Sequence, residues 1–105
     1  MKIYTLEEIS NLFNELVSAI EDGCREHLYL AVNAAALSVT IISYKKQLQR
    51  GMTLVENSEN LISALEKVEQ AINFKMNACT TDEIINKVTQ AHILFCKHIE
   101  QNKPN

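Results

Sequence analysis

Apolar residues recur along the chain with helical spacing in four blocks, each closed by a short polar break. In the first block Ile9, Leu12, Phe13, Leu16, Val17 and Ile20 fall on one helical face, while Asn11, Asn14, Glu15 and Ser18 fall off it. Thr5 followed by Glu8 has the pattern of a capping box, in which a hydroxyl and a carboxylate satisfy free amides of the first turn. Glu21-Asp22-Gly23 ends the pattern, with Gly23 suited to a C-terminal cap. The third block opens with a second such pair, Thr53 and Glu56. It continues as a heptad seam of Leu54, Ser58, Leu61, Leu65, Val68 and Ile72, with Glu56, Glu59, Glu66, Glu69 and Gln70 away from the seam. The fourth opens with Thr80 and Glu83 and buries Ile84, Ile85, Val88, Ala91, His92, Phe95 and Ile99. The polar tail from Gln101 to Asn105 is expected to fray.

The second block differs from the others. Leu28–Tyr44 holds no charged residue and lies between Arg25-Glu26 and Lys45-Lys46. Its apolar residues form two heptad lines. One is Leu30, Ala34, Leu37, Ile41, Tyr44 and Leu48; the other is Leu28, Val32, Ala35, Val39 and Ile42. The lines are offset by two residues, which at roughly 100° per residue sets them on nearly opposite sides of a helix. Tyr29, Asn33, Ala36, Thr40 and Ser43 separate them on one side, Ala31 and Ser38 on the other. Lys45, Lys46 and Arg50 load the C-terminal end with charge that suits the helix dipole, and Gly51 follows as a stop.

These patterns predict an all-α, antiparallel up-down four-helix bundle forming a single domain over 1–105, with helices over about 5–22, 24–50, 53–78 and 81–101. Composition agrees. Two Gly and one Pro are too few for the turns of an all-β fold, and 47% apolar residues suffice for a core. A bundle helix needs one apolar stripe, so the second block has one more than its own bundle requires. The other three helices, a second copy of the chain or a partner protein, or a membrane are the three ways to cover it. A span wants about 20 apolar residues, the run is shorter, and it carries Asn33, Ser38, Thr40 and Ser43. No membrane association is therefore expected. The interface is the preferred cover, with Leu28, Val32, Ala35, Val39 and Ile42 as its residues.

Charge and candidate chemistry narrow the function. A formal net charge of -3 argues against nucleic-acid binding. Three cysteines, an odd number without paired spacing, fit reduced thiols in a cytoplasmic protein. The N-terminal ten residues, with Glu7 and Glu8, do not read as a signal peptide. Cys24-x-x-His27 and His92-x-x-x-Cys96 are ligand types that suit zinc. In an up-down bundle, however, the second and fourth helices run parallel, so the two pairs lie at different heights. Cys24, His27 and Cys79 share one end and form a weak metal candidate; no metal or other cofactor is expected. A Cys–His nucleophile pair drawn from the same residues lacks an oxyanion site and an orienting group. No phosphate-loop, dinucleotide or Glu-x-x-His di-iron pattern is present. Tyr29, Asn33, Thr40 and Ser43 read as helix-packing positions before they read as a ligand pocket.

The expectation is a non-enzymatic protein-interaction module of the adaptor, chaperone, inhibitor or immunity type, self-associating through its second helix. A helical bundle that binds a small ligand or metal ion is the alternative.

Overall fold

Local chemistry sets the starts of the first and fourth helices and the ends of the first and second. The computed structural model describes residues 2–52, 56, 58–72 and 79–99. They form α1 (Leu6–Glu21), α2 (His27–Gln49), α3 (Ser58–Ile72) and α4 (Thr81–His98). The architecture is the all-α antiparallel four-helix bundle that the periodicity predicts.

Thr5 is extended and its Oγ1 accepts from the Glu8 amide at 3.1 Å, so the first turn of α1 is capped. The Glu8 carboxylate faces Lys2 Nζ at 3.4 Å, so only the hydroxyl half of the expected box forms. At the far end the Gly23 amide donates to the Ile20 carbonyl and the Cys24 amide to Ala19. This is a Schellman closure, and it needs the positive φ of Gly23, 91°. Gly51 repeats the device after α2: its φ is 70°, its amide donates to Leu48 and that of Met52 to Gln47. Both glycines sit where the sequence pattern expects a stop.

The bounds of three helices differ from the expected ones. α2 begins at His27, not at Cys24. The Schellman turn reverses the chain at Gly23, and Cys24, Arg25 and Glu26 carry it across to the next helix. Glu26 is the extended residue ahead of α2 and forms no side-chain cap. α3 is described from Ser58 to Ile72, inside the expected 53–78. Thr53 and residues 73–78 lie outside the described residues, and with Thr53 goes the second expected capping box. α4 has the full box: Thr80 Oγ1 accepts from the Glu83 amide at 3.2 Å, and Glu83 Oε1 accepts from the Thr80 amide at 3.1 Å. It stops at His98, short of the expected 101, with Ile99 still buried.

The core lies along α2, which packs against α1, α3 and α4, while α4 closes on α1. Leu30, Ala34, Leu37, Ile41, Tyr44 and Leu48 are all buried, so one complete heptad line of α2 faces inward. Ile9, Phe13 and Leu16 meet it from α1, Leu65, Val68 and Ile72 from α3, and Ile84, Val88, Ala91 and Phe95 from α4. The Phe13 ring lies 5.0 Å from that of Phe95 and 5.4 Å from the His92 imidazole, which joins α1 to α4. Burial pushes the Tyr44 phenol above its ordinary 10.0.

Two polar residues serve the packing. Buried Gln47 grips the Tyr4 backbone from both sides: its Oε1 accepts from the Tyr4 amide and its Nε2 donates to the Tyr4 carbonyl, each at 2.8 Å. This fixes the segment ahead of α1 to the last turns of α2. Lys45 on α2 and Glu69 on α3 pair at 2.7 Å, with about a sixth and a fifth of their side-chain surface exposed.

Three outcomes are expected from this fold. Gly23→Ala and Gly51→Ala each cost about 1–2 kcal/mol in denaturant unfolding, from backbone strain alone, because the added methyl meets no neighbour. Gln47→Leu costs about 1–3 kcal/mol by leaving both Tyr4 backbone groups without their partner, and hydrogen exchange over residues 2–8 rises with it. The hydrogen bond donated by the Thr80 backbone amide, and after it the Thr80 hydroxyl, holds the Glu83 carboxyl below its ordinary 4.5. A depressed carboxyl stabilises the fold above 4.5 and loses that contribution as pH falls through its lower folded value. Acid titration of Glu83→Gln, which keeps the box but does not ionise, should therefore show a shallower acid limb than the wild type.

Candidate interaction surface

The second heptad line of α2 splits from the first in its surroundings. Leu28 is 76% exposed, Val32 55% and Val39 59%. Ala35 and Ile42 are half-buried on the shoulders of this strip, and Ala36 lies open beside it. Tyr29 is also exposed. The three partner helices sit on the Leu30–Leu48 side, and geometry explains the rest. A helix on the perimeter of a four-helix bundle keeps one flank to solvent whatever its sequence. On α1, α3 and α4 that flank is predominantly polar. On α2 it carries Leu28, Val32 and Val39. As a result α2 has almost no net amphipathic bias, whereas α1 and α3 are strongly one-sided.

The same composition bears on the membrane question. α2 is the one helix among the described residues long and apolar enough to cross a membrane, by length and composition. In the bundle 39% of its most apolar window is buried in protein.

The polar positions between the stripes turn inward on their own helix. Thr40 is buried and its hydroxyl donates to the Ala36 carbonyl at 2.8 Å. The Asn33 amide donates to the Tyr29 carbonyl, also at 2.8 Å. Both bonds tie the side chain to the carbonyl four residues back on α2. A groove of about 410 Å³ does occur elsewhere, between α3 and α4, lined by Gln70, Ala71, Glu83, Asn86, Lys87 and Gln90. It is polar and open, and sequence reasoning did not single it out.

The metal candidates separate as the topology requires. Arg25 Nη2 meets Asp82 Oδ1 at 2.5 Å and His27 Nδ1 meets Thr81 Oγ1 at 3.0 Å, so α2 and α4 start side by side. His92 and Cys96, 3.4 Å apart, lie eleven or more residues further along α4, roughly 15 Å lower. At the shared end, Cys24 and Cys79 are half-buried against the core, and the exposed His27 is engaged with Thr81. Among the described residues no three of His, Cys, Asp and Glu gather as a metal would need, so Cys24, His27 and Cys79 do not assemble into a site. None of the three cysteines is in a disulfide.

The basic cluster divides. Lys45 is held by Glu69, a pairing between α2 and α3 that the charge pattern did not reveal. Lys46 and Arg50 remain on the exposed side of α2. Gln47, one residue on, is the other residue whose role was hidden. A glutamine inside a helical run gives no sign that it will be buried against a backbone 43 positions away.

Comparison with family models, with characterised proteins and with solved structures returns no match.

Proposed function

We propose that this protein is a non-enzymatic interaction module of the cytoplasm that self-associates through the outward face of α2. The observation that carries the reading is the exposure of Leu28, Val32 and Val39 on a helix whose opposite line is fully buried. A strip of large aliphatic side chains in solvent is costly, and soluble proteins seldom keep one without a partner surface. Leu28, Val32 and Val39 are therefore the central contacts, with Ala35 and Ile42 at the edge. An adaptor, chaperone, inhibitor or immunity role suits such a scaffold, because its activity lies in the partner it holds. Cysteines outside any disulfide fit a reducing compartment.

A bundle that takes a small ligand is the second reading. The open groove between α3 and α4 is the feature that favours it.

Light scattering tests the first reading directly. The expected mass at micromolar concentration is above the 11.9 kDa of one chain. Val39→Glu should weaken association at least ~10-fold while leaving the helical circular dichroism unchanged, because an unpaired carboxylate would have to be buried in the contact. A monomer at every concentration, or a Val39→Glu protein that associates like the wild type, would sink it.

A further inference from the structure

We propose that the occupant of the α2 face is a second copy docked antiparallel, about a two-fold axis passing between Ala35 and Ala36. This rests on the self-association reading above and adds the partner's orientation and register.

The first argument is steric. Ala35 and Ala36 are the small residues midway along the exposed strip, and they let two backbones approach at a crossing point. Positions symmetric about that point face each other: Val32 meets the partner's Val39, aliphatic against aliphatic, and Leu28 lies over the partner's Ser43, a half-buried residue at the edge of the strip. At roughly 100° per residue these pairs all point in one direction, away from the buried Leu30–Leu48 line. An isologous contact of this kind closes at two copies.

The second argument is charge. The C-terminal end of the face exposes Lys46 and Arg50. The turn leading into its N-terminal end exposes Glu21, Asp22 and Glu26, and the one cation there, Arg25, is held by Asp82. Antiparallel docking sets each basic end beside the partner's acidic turn and opposes the two helix dipoles. Parallel docking would set Lys46 beside Lys46 and acidic turn beside acidic turn. Exposed pairs are individually weak, so charge selects the orientation while the aliphatic contact supplies the attraction.

Single cysteines test this in a Cys24→Ser, Cys79→Ser, Cys96→Ser background under mild oxidation. Leu28→Cys mixed with Ser43→Cys should give a covalent dimer several-fold above an exposed control, Glu66→Cys; each alone should match the control. Ala36→Cys, beside the axis, should cross-link with itself. Leu28→Cys and Ser43→Cys that each cross-link alone would show parallel docking and overturn the proposal while self-association stands. Control-level yields throughout from a protein that sizes as a dimer would remove the contact from this face. In the chain with its native cysteines, Lys46→Glu with Arg50→Glu should weaken association several-fold at low salt. A parallel pair, in which like would still face like, would be unaffected, and that result overturns the orientation independently of the cysteine variants. A native chain that stays monomeric would instead overturn the self-association reading on which this one rests.

Discussion

The burial of one heptad line of α2 is the constraint on which the rest of the molecule depends. Leu30, Ala34, Leu37, Ile41, Tyr44 and Leu48 make α2 the wall against which α1, α3 and α4 pack. Apolar surface leaves water most completely when these residues meet Phe13, Leu65, Val68, Ile84, Val88 and Phe95 at close-packed density. Satisfying that line fixes the rotation of α2 about its own axis. Once the rotation is fixed, the opposite line has nowhere to go but outward. The exposed face of α2 is thus a direct consequence of the core, and it arises because the sequence is apolar on both sides of a helix with partners on one.

Polar groups hold this arrangement at its margins. Two Schellman turns, each requiring a glycine at positive φ, stop α1 and α2 cleanly. The full capping box at Thr80 starts α4, and a half box at Thr5 starts α1. Gln47 satisfies both backbone groups of Tyr4, so the segment before α1 is tied to the end of α2 without burying an unpaired amide. The Lys45–Glu69 pair joins α2 to α3 in a largely screened position, where each charge depends on the other remaining.

The residues with the most reactive chemistry fall into two separate groups. Cys24, His27 and Cys79 stand at one end, with His27 bonded to Thr81; His92 and Cys96 meet each other well down α4, where the His92 ring lies tilted against Phe13. Parallel running of α2 and α4 separates the two groups, and the salt bridge between Arg25 and Asp82 keeps the helix starts in step. Asn33 and Thr40 spend their hydrogen bonds on α2 itself. The large aliphatic side chains that α2 leaves in solvent are Leu28, Val32 and Val39.

The sequence by itself determined the helices, their order, the box at Thr80 and the stops at Gly23 and Gly51, because helical periodicity, Thr-x-x-Glu pairs and punctuating glycines are local signals. It also determined that α2 carries two opposed apolar lines, since that follows from residue spacing alone. Which line faces inward was decided by tertiary structure: both lines are apolar, and only the positions of three other helices distinguish them. The start of α2 at His27 was likewise tertiary, set by the distance the chain must cross after the Gly23 turn. Gln47 and Glu69 were illegible for the same reason. Their partners, Tyr4 and Lys45, are distant in sequence, and no spacing rule brings together groups that meet only when the helices pack.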